Sequence, residues 1–333
     1  YTYDLIDRCI DQIAKQDKKV KDKSLALLIK EAKKKVFDGW TDWRYDLLKC
    51  GIWICDEKSA GKLEKALDIL LENTEEDYFP EYKKKEDVIV RYLLHRHLYG
   101  KENVVEELQQ SISIDELRII AIGDAIGDKN YAAAEKLCLE KLTEQQTWFY
   151  RKNDPKDWNN ILYKVYTDSD NKEKQIAQAR HILLLGNETF WEKLKKIYCD
   201  IGTWEENRED LLDELKESGH TVCYRSVLVE EKEYKRLYID VLDHPYNLFY
   251  YGKFLVKDYP DEIYKLCYKV ISDDCENARN RREYKKVTQE ITRLIEWKGT
   301  DTAQKLIDDL KNTYPRRTAL LDELDKVERK LLI

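Results

Sequence analysis

The sequence predicts an all-α protein, an α-solenoid of antiparallel helix hairpins, and two observations predict this class. Charged residues make up 38% of the 333 residues and hydrophobic residues 42%, while the chain has only 11 Gly and 5 Pro. Such a composition is typical of long amphipathic helices. Leucine, isoleucine and aromatic residues also recur every three to four positions, which is the period of a helix with one buried face.

The N-terminal part, residues 1–110, is expected to form an irregular helical subdomain. Its first amphipathic helix is marked by an apolar stripe that comprises Leu5, Ile6, Cys9, Ile10 and Ile13. Turn-forming residues from 73 to 80, followed by a run of charges from 81 to 87, indicate a connecting loop. We therefore expect a boundary between residues 74 and 115.

Residues 111–333 are expected to form a helical repeat region, because one pattern of two amphipathic helices and a short turn returns there. The clearest copy runs from Phe190 to Ser218. Its two apolar stripes are Trp191, Leu194, Ile197, Tyr198 and Ile201, then Leu211, Leu212 and Leu215. Between the stripes, Gly202 favours a left-handed stop, and Thr203 followed by Glu206 predicts a capping box.

A second copy near the end of the chain indicates the length of the repeat. Its stripes are Tyr284, Val287, Ile291, Leu294 and Ile295, then Ala303, Leu306, Ile307 and Leu310. Its Gly299–Thr300 turn follows the first Gly-Thr pair by 97 residues, close to three steps of about 33, the tetratricopeptide period. Trp191, Leu194 and Tyr198 match the W-x2-L-x3-Y core of that repeat. We expect a tetratricopeptide-like right-handed superhelix.

Charge and cysteine content bear on the location of the protein. The formal net charge is −7 and the pI is near 5.6, so the averaged field repels a phosphate backbone. The chain lacks both a long apolar run and the layout of a secretory signal at its start, so no membrane contact is expected. Most of the eight cysteines lie in apolar helical context, as buried free thiols do. We expect a cytoplasmic protein.

Motifs of catalysis and metal binding are missing from the sequence. It has no Gly-x-Ser-x-Gly, no His-Glu-x-x-His and no phosphate-binding loop. His95 and His97 are two residues apart, so on a helix they point to different faces, and no cysteine pair has the spacing of a zinc knuckle. The sequence therefore predicts a protein that is not an enzyme and needs no cofactor or metal.

Three helical phrases resemble the C-terminal helical region of bacterial SWIM zinc-finger proteins. The phrases are Ala303–Leu324 (AQKLIDDLKNTYPRRTALLDEL), Trp191–Leu215 (WEKLKKIYCDIGTWEENREDLLDEL) and Asn277–Ile291 (NARNRREYKKVTQEI). The resemblance implies a helical appendage, which in that family follows a zinc finger of the form Cys-x-Cys and Cys-x-His. Neither motif occurs here, so the finger is expected upstream of Tyr1 or is missing, and no zinc ligand carries over to this chain.

Two groups of residues are candidates for contact with a partner. Basic segments with neighbouring aromatic residues could meet nucleic acid, since cations neutralise phosphates and exposed rings stack on bases; they include Trp40, Trp43, Arg44, Arg281, Arg282, Arg316 and Arg317. The alternative for most of these charges is a solvated helix face, and for the last two arginines an ion pair with the adjacent repeat. The second group is the adjacent trio Phe249, Tyr250 and Tyr251, which cannot all face one core.

Three functions fit these observations. The leading hypothesis is a noncatalytic scaffold that offers a groove to a protein or peptide. An alternative is a nucleic-acid accessory module, which acts through an upstream zinc finger or a basic patch. The third is an enzyme similar to helical-repeat DNA glycosylases, which would need a basic concave surface with an acid at its centre; the acidic balance of the chain speaks against it.

Overall fold

The computed structural model describes residues 2–72, 80–145 and 157–331, and the regular secondary structure of this part is helical. These ranges hold nineteen α-helices and no β-strand, which confirms the all-α prediction. The chain divides into two compact units, residues 1–172 and 173–333. The boundary expected between residues 74 and 115 stays a prediction.

The first unit contains nine α-helices among its described residues. They are α1 (Thr2–Ala14), α2 (Lys18–Ala32), α3 (Thr41–Ile52), α4 (Glu57–Glu72), α5 (Pro80–Tyr99), α6 (Val105–Gln110), α7 (Asp115–Gly127), α8 (Tyr131–Gln145) and α9 (Trp158–Asp168). One core forms where α2 to α5 bury Leu25, Leu48, Leu63 and Leu94 completely. A second forms among α7, α8 and α9 around Trp158.

The charge run after residue 80 is helical, which corrects the prediction of a loop there. Pro80 is the first residue of α5, a position that suits its fixed φ and its missing N–H. The run then buries Glu86 and Asp87 against ionic partners: Lys49 Nζ lies 2.8 Å from a Glu86 oxygen, and Arg91 Nε donates to Asp87 at 2.8 Å. Residues 73–79, the rest of the expected loop, lie outside the described residues.

The second unit contains ten α-helices up to residue 331. They are α10 (Lys172–Leu184), α11 (Thr189–Asp200), α12 (Trp204–Glu217), α13 (Thr221–Glu230), α14 (Tyr234–Asp243), α15 (Leu248–Leu255), α16 (Pro260–Asn277), α17 (Arg281–Glu296), α18 (Thr300–Thr313) and α19 (Thr318–Leu331). From α11 to α18 each helix packs on the next one in the chain, and α16 and α17 also pack on α18 and α19 respectively.

The first predicted hairpin exists as α11 and α12, but its turn differs in detail. Four of the five residues of the first stripe are buried, and Gly202 adopts the expected left-handed φ of +74°. Ile201 follows the helix and is 47% exposed. Thr203 has a ψ of 17° and its hydroxyl caps no N–H, because the capping hydrogen bond needs an extended residue at this position.

The second predicted hairpin, α17 and α18, buries eight of its nine stripe residues, and Ile295 is half-buried. Its glycine serves a different purpose from the expected left-handed stop. The left-handed residue of the turn is Lys298, with a φ of +68°, whereas Gly299 has a φ of −85°. A Cβ on Gly299 would lie 2.5 Å from Leu294 Cδ1 and 3.0 Å from the Tyr264 ring. The position therefore needs glycine because neighbouring side chains approach the backbone closely.

Candidate functional site

The adjacent aromatic residues at the start of α15 are distributed over three environments. Phe249 is half-buried, and its ring stacks on that of Trp297, with 6.0 Å between the centroids. Tyr250 is 71% exposed, and Tyr251 is half-buried, which raises the pKa of its hydroxyl. Successive helical residues point about 100° apart, so the trio divides between half-buried and exposed positions.

Close packing between α15 and the end of α17 fixes the position of these rings. A Cβ added to Gly252 would lie 2.6 Å from two ring carbons of Trp297, so the indole rests directly on the backbone of α15. The carbonyl of Trp297 also accepts a 2.6 Å hydrogen bond from the Tyr264 hydroxyl of α16. One tryptophan thus connects α15, α16 and α17.

A cavity of about 640 Å³ opens beside this junction, and we call it the Glu290 cavity. It is lined by Pro245, Tyr246, Phe249, Tyr250, Val270, Asp273, Asp274, Lys286, Gln289, Glu290 and Arg293. Two of the rings are largely exposed, at 69% for Tyr246 and 71% for Tyr250. Its size falls within the range typical of ligand pockets.

Glu290 is the unusual residue of this cavity, because it is only 5% exposed and incompletely paired. Its Oε1 lies 3.5 Å from Lys286 Nζ, one helical turn away. Its Oε2 accepts no hydrogen bond from any described residue. Burial raises the pKa of this carboxyl to about 7, although Lys286 acts in the opposite direction. A buried acceptor without a donor is costly, so a ligand that donates to it gains affinity.

The other charges of the cavity are arranged around this carboxyl. Lys286 Nζ lies 2.8 Å from Asp274 Oδ2, and this hydrogen bond raises the pKa of the lysine. Arg293 donates to the carbonyl of Phe249 at 3.3 Å, which ties α17 to α15. Asp273 is exposed, and within the described part of the chain its carboxylate has no hydrogen bond or ion pair. Three carboxyls thus face two cations that already have acceptors.

The remaining predicted contact residues are not among the residues that line the Glu290 cavity. In the first unit, Trp40 and Trp43 are 58% and 51% exposed, and their ring centroids lie 5.2 Å apart. Arg44 is buried and donates to Asp38 at 2.7 Å and to the Lys34 carbonyl at 3.3 Å. It therefore holds the turn before α3 in place.

The four predicted arginines of the second unit occupy different positions. Arg281 and Arg282 are exposed at the start of α17, and Arg281 pairs with Asp322 at 2.6 Å. Arg316 is exposed. Arg317 donates to the carbonyl of Cys275 at 2.8 Å and stacks on the Tyr314 ring. It joins α19 to the end of α16 through backbone carbonyls, where the sequence suggested carboxylates.

Glu290 and Lys286 were not among the predicted site residues, although the sequence carried a signal for the first. Glu290 follows Val287 by three residues and precedes Leu294 by four, so it lies on the buried face of α17. A charged residue inside an apolar stripe is rarely buried without a purpose. Glu86, Asp87, Asp240 and Glu323 are buried as well, so this departure from the pattern marks Glu290 as a candidate but does not single it out.

Comparisons of this chain with models of known protein families, with curated proteins and with solved structures found no match. Among the described residues, no group of three or more His, Cys, Asp and Glu side chains is arranged to hold a metal ion. None of the helices within the described ranges has both the length and the apolar character that crossing a membrane requires.

Proposed function

We propose that this protein is a noncatalytic helical-repeat scaffold that binds a protein or peptide segment, with the Glu290 cavity as a contact site. The observation that carries the proposal is the combination of exposed tyrosine rings with a buried, unpartnered carboxylate oxygen. Tyrosine is enriched at binding hot spots because it offers a large rigid ring and a polar end.

The packing of the second unit supports the finer part of the proposal, a tetratricopeptide-like right-handed superhelix. Where helices pack on the next and on the second next in the chain, as α16 to α19 do, neighbouring hairpins stack as they do in repeat proteins. The three helical phrases support membership of the SWIM zinc-finger group. Six buried free cysteines support a reducing compartment, the cytoplasm.

The proposal is tested by selecting binders from a displayed library of random short peptides. We expect the wild-type chain to enrich peptides and a Tyr246→Ala/Tyr250→Ala variant to lose at least about tenfold in affinity for them, as hot-spot residues do. Tyr99→Ala is the matched control, since Tyr99 is an exposed tyrosine of the first unit. Enriched peptides that bind the double variant as tightly as the wild type would contradict the proposal.

A second candidate function, nucleic-acid contact, is favoured by the exposed pair Trp40 and Trp43. The rings follow three exposed lysines, Lys33, Lys34 and Lys35, and single-stranded nucleic acid binds to just such combinations of cations and rings. An electrophoretic shift assay at about 50 mM salt tests it. The Trp40→Ala/Trp43→Ala variant should abolish the shift. The control variant Trp53→Ala, which changes another exposed tryptophan, should leave the shift intact. If the wild type gives no shift, the function is excluded.

A further inference from the structure

We infer that the Glu290 cavity recognises a protonated basic side chain, a lysine or arginine of the bound segment, so that the cation meets Glu290 and Asp273 while its stem packs on Tyr246 and Tyr250. The inference rests on the proposed function, because it names the chemistry of the segment that the scaffold binds. Three features of the cavity lead to it.

The first feature is the donor that the cavity lacks. Glu290 Oε2 has no hydrogen-bond donor among the described residues, and Lys286 is held closer to Asp274, at 2.8 Å, than to Glu290, at 3.5 Å. Because Oε2 is buried, a ligand with N–H donors would bond to it after a small rotation of the Glu290 carboxyl towards the cavity, while Lys286 keeps its bond to Asp274. An ammonium or guanidinium adds to such a hydrogen bond a Coulomb attraction to the carboxylate that a neutral amide or hydroxyl lacks, which favours a cationic donor.

The second feature is the charge balance at the mouth of the cavity. Arg293 is directed at the Phe249 carbonyl and Lys286 at Asp274, so both cations of the cavity have acceptors. The Asp273 carboxylate is exposed there and lacks an ionic partner within the described residues. An anionic ligand would face Asp273 and the buried carboxyl of Glu290, whereas a cation is attracted by both.

The third feature is the pair of exposed rings. Tyr246 and Tyr250 present their rings to solvent beside the carboxyls. Aromatic faces attract cations within about 6 Å, and long basic side chains bury their methylene stems along apolar surface. Rings that accept the stem and carboxylates that accept the head match a lysine or arginine side chain over its whole length.

Proton uptake by Glu290 gives this ligand a distinctive pH dependence. The charged and titratable groups that act on Glu290 are Cys267 and Asp274 from α16, and Lys286 and Arg293 from α17. Because the pKa of Glu290 is about 7, a cation must displace its proton at acidic pH. Affinity should therefore fall about tenfold between pH 8 and pH 6.

The test uses the full chain and peptides enriched from the random library, with their basic residues replaced by neutral isosteres. Enriched peptides should share lysine or arginine at one position. Norleucine in place of lysine, or citrulline in place of arginine, should weaken binding about tenfold or more, and comparison of the two series shows which cation is preferred. Glu290→Gln should lower affinity about tenfold at pH 8 and make it independent of pH.

Two variants make this test robust. Asp273→Asn changes an exposed carboxylate, so its fold is secure, and it should weaken lysine or arginine peptides but leave their norleucine or citrulline versions unaffected. Glu262→Gln, an exposed acid of α16 outside the cavity, should change nothing. Peptides that need Tyr246 and Tyr250 but tolerate the neutral isosteres would overturn the inference and leave the proposed function standing. If no peptide binds, both fail.

Discussion

Replacing Glu290 by glutamine is expected to favour the folded state increasingly as the pH rises. The carboxyl is buried with one oxygen unpartnered, so the fold tolerates its neutral form better than its ionised form. Glutamine keeps the shape of the side chain and cannot ionise. The variant therefore removes the ionisation cost while it leaves the packing of α17 unchanged.

The magnitude follows from the pKa of Glu290, which burial raises from 4.5 to about 7. Below pH 4.5 the carboxyl is neutral in both the folded and the unfolded chain, so the folded state has its full stability and bears no ionisation cost. This part of the stability is lost as the pH rises through the folded pKa. Each pH unit between the two pKa values costs about 1.4 kcal/mol. The cost is about 1 kcal/mol at pH 5 and about 3 kcal/mol at pH 8, so the glutamine variant should gain about 2 kcal/mol relative to the wild type over this interval.

Urea unfolding of both proteins at pH 5 and pH 8 measures this difference. Other groups titrate equally in the two proteins and cancel in the comparison. Glu262→Gln should differ from the wild type by less than about 0.5 kcal/mol at either pH, as exposed substitutions do. A difference between the Glu290→Gln variant and the wild type that stays the same at both pH values would refute the argument that this carboxyl is held in a desolvated site.

Three further predictions concern contacts elsewhere in the protein. Gly252→Ala should destabilise the protein by about 1–3 kcal/mol in thermal unfolding, because the added methyl group would overlap the Trp297 ring. The control Gly61→Ala, where a Cβ meets nothing within 4 Å, should be neutral or stabilising in the same assay. His95 Nδ1 lies 2.9 Å from Glu107. Burial opposes the charge of this imidazole, but its hydrogen bonds to carboxylates outweigh burial and raise its pKa. The stability of the protein should therefore fall as the pH rises through that pKa, and an NMR titration should give a His95 pKa above 6.5. Asp240→Ala should cost about 3–5 kcal/mol in urea unfolding, because it leaves Arg225 buried without its partner.

Each of these predictions has an outcome that would contradict it. Equal stability of the two glycine variants would mean that Trp297 moves freely aside. A His95 pKa at or below the ordinary value would mean that the carboxylate contacts are absent in solution. For the buried pair, Asp213→Ala is the control: this aspartate pairs with Arg236 at 2.5 Å but is largely exposed, so its loss should cost less than about 1 kcal/mol. Equal costs for the two aspartates would show that burial of Arg225 is immaterial.

The helices of the second unit could be predicted from the sequence because their apolar stripes are long and regular. In α17, Val287, Ile291 and Leu294 repeat at helical spacing, and all three are buried. The details of the turns could not be predicted in the same way. Whether Thr203 caps a helix depends on its ψ, and whether Gly299 is needed depends on Tyr264, a residue of another helix.

The candidate site could be predicted only in part. The adjacent rings at 249–251 indicated an exposed aromatic surface, and two of them line the cavity. The acids and bases of the cavity come from α16 and α17, and their approach to α15 depends on tertiary packing that periodicity does not encode. The helical structure of the charge run at 81–87 could not be predicted for a related reason: the partners of its buried acids, Lys49 and Arg91, come from α3 and from the next turn of α5.

The contact of Arg317 with the carbonyl of Cys275 sets a lower limit on the length of any shortened version of this protein. The last carbonyls of a helix lack partners within it, and here a guanidinium from the start of α19 satisfies one of them. Asp274 belongs to the same final turn of α16, and Asp273 directly precedes it. A fragment that stops at Thr313 would expose that turn to water and loosen the wall that presents both carboxylates, although every residue of the wall would still be there.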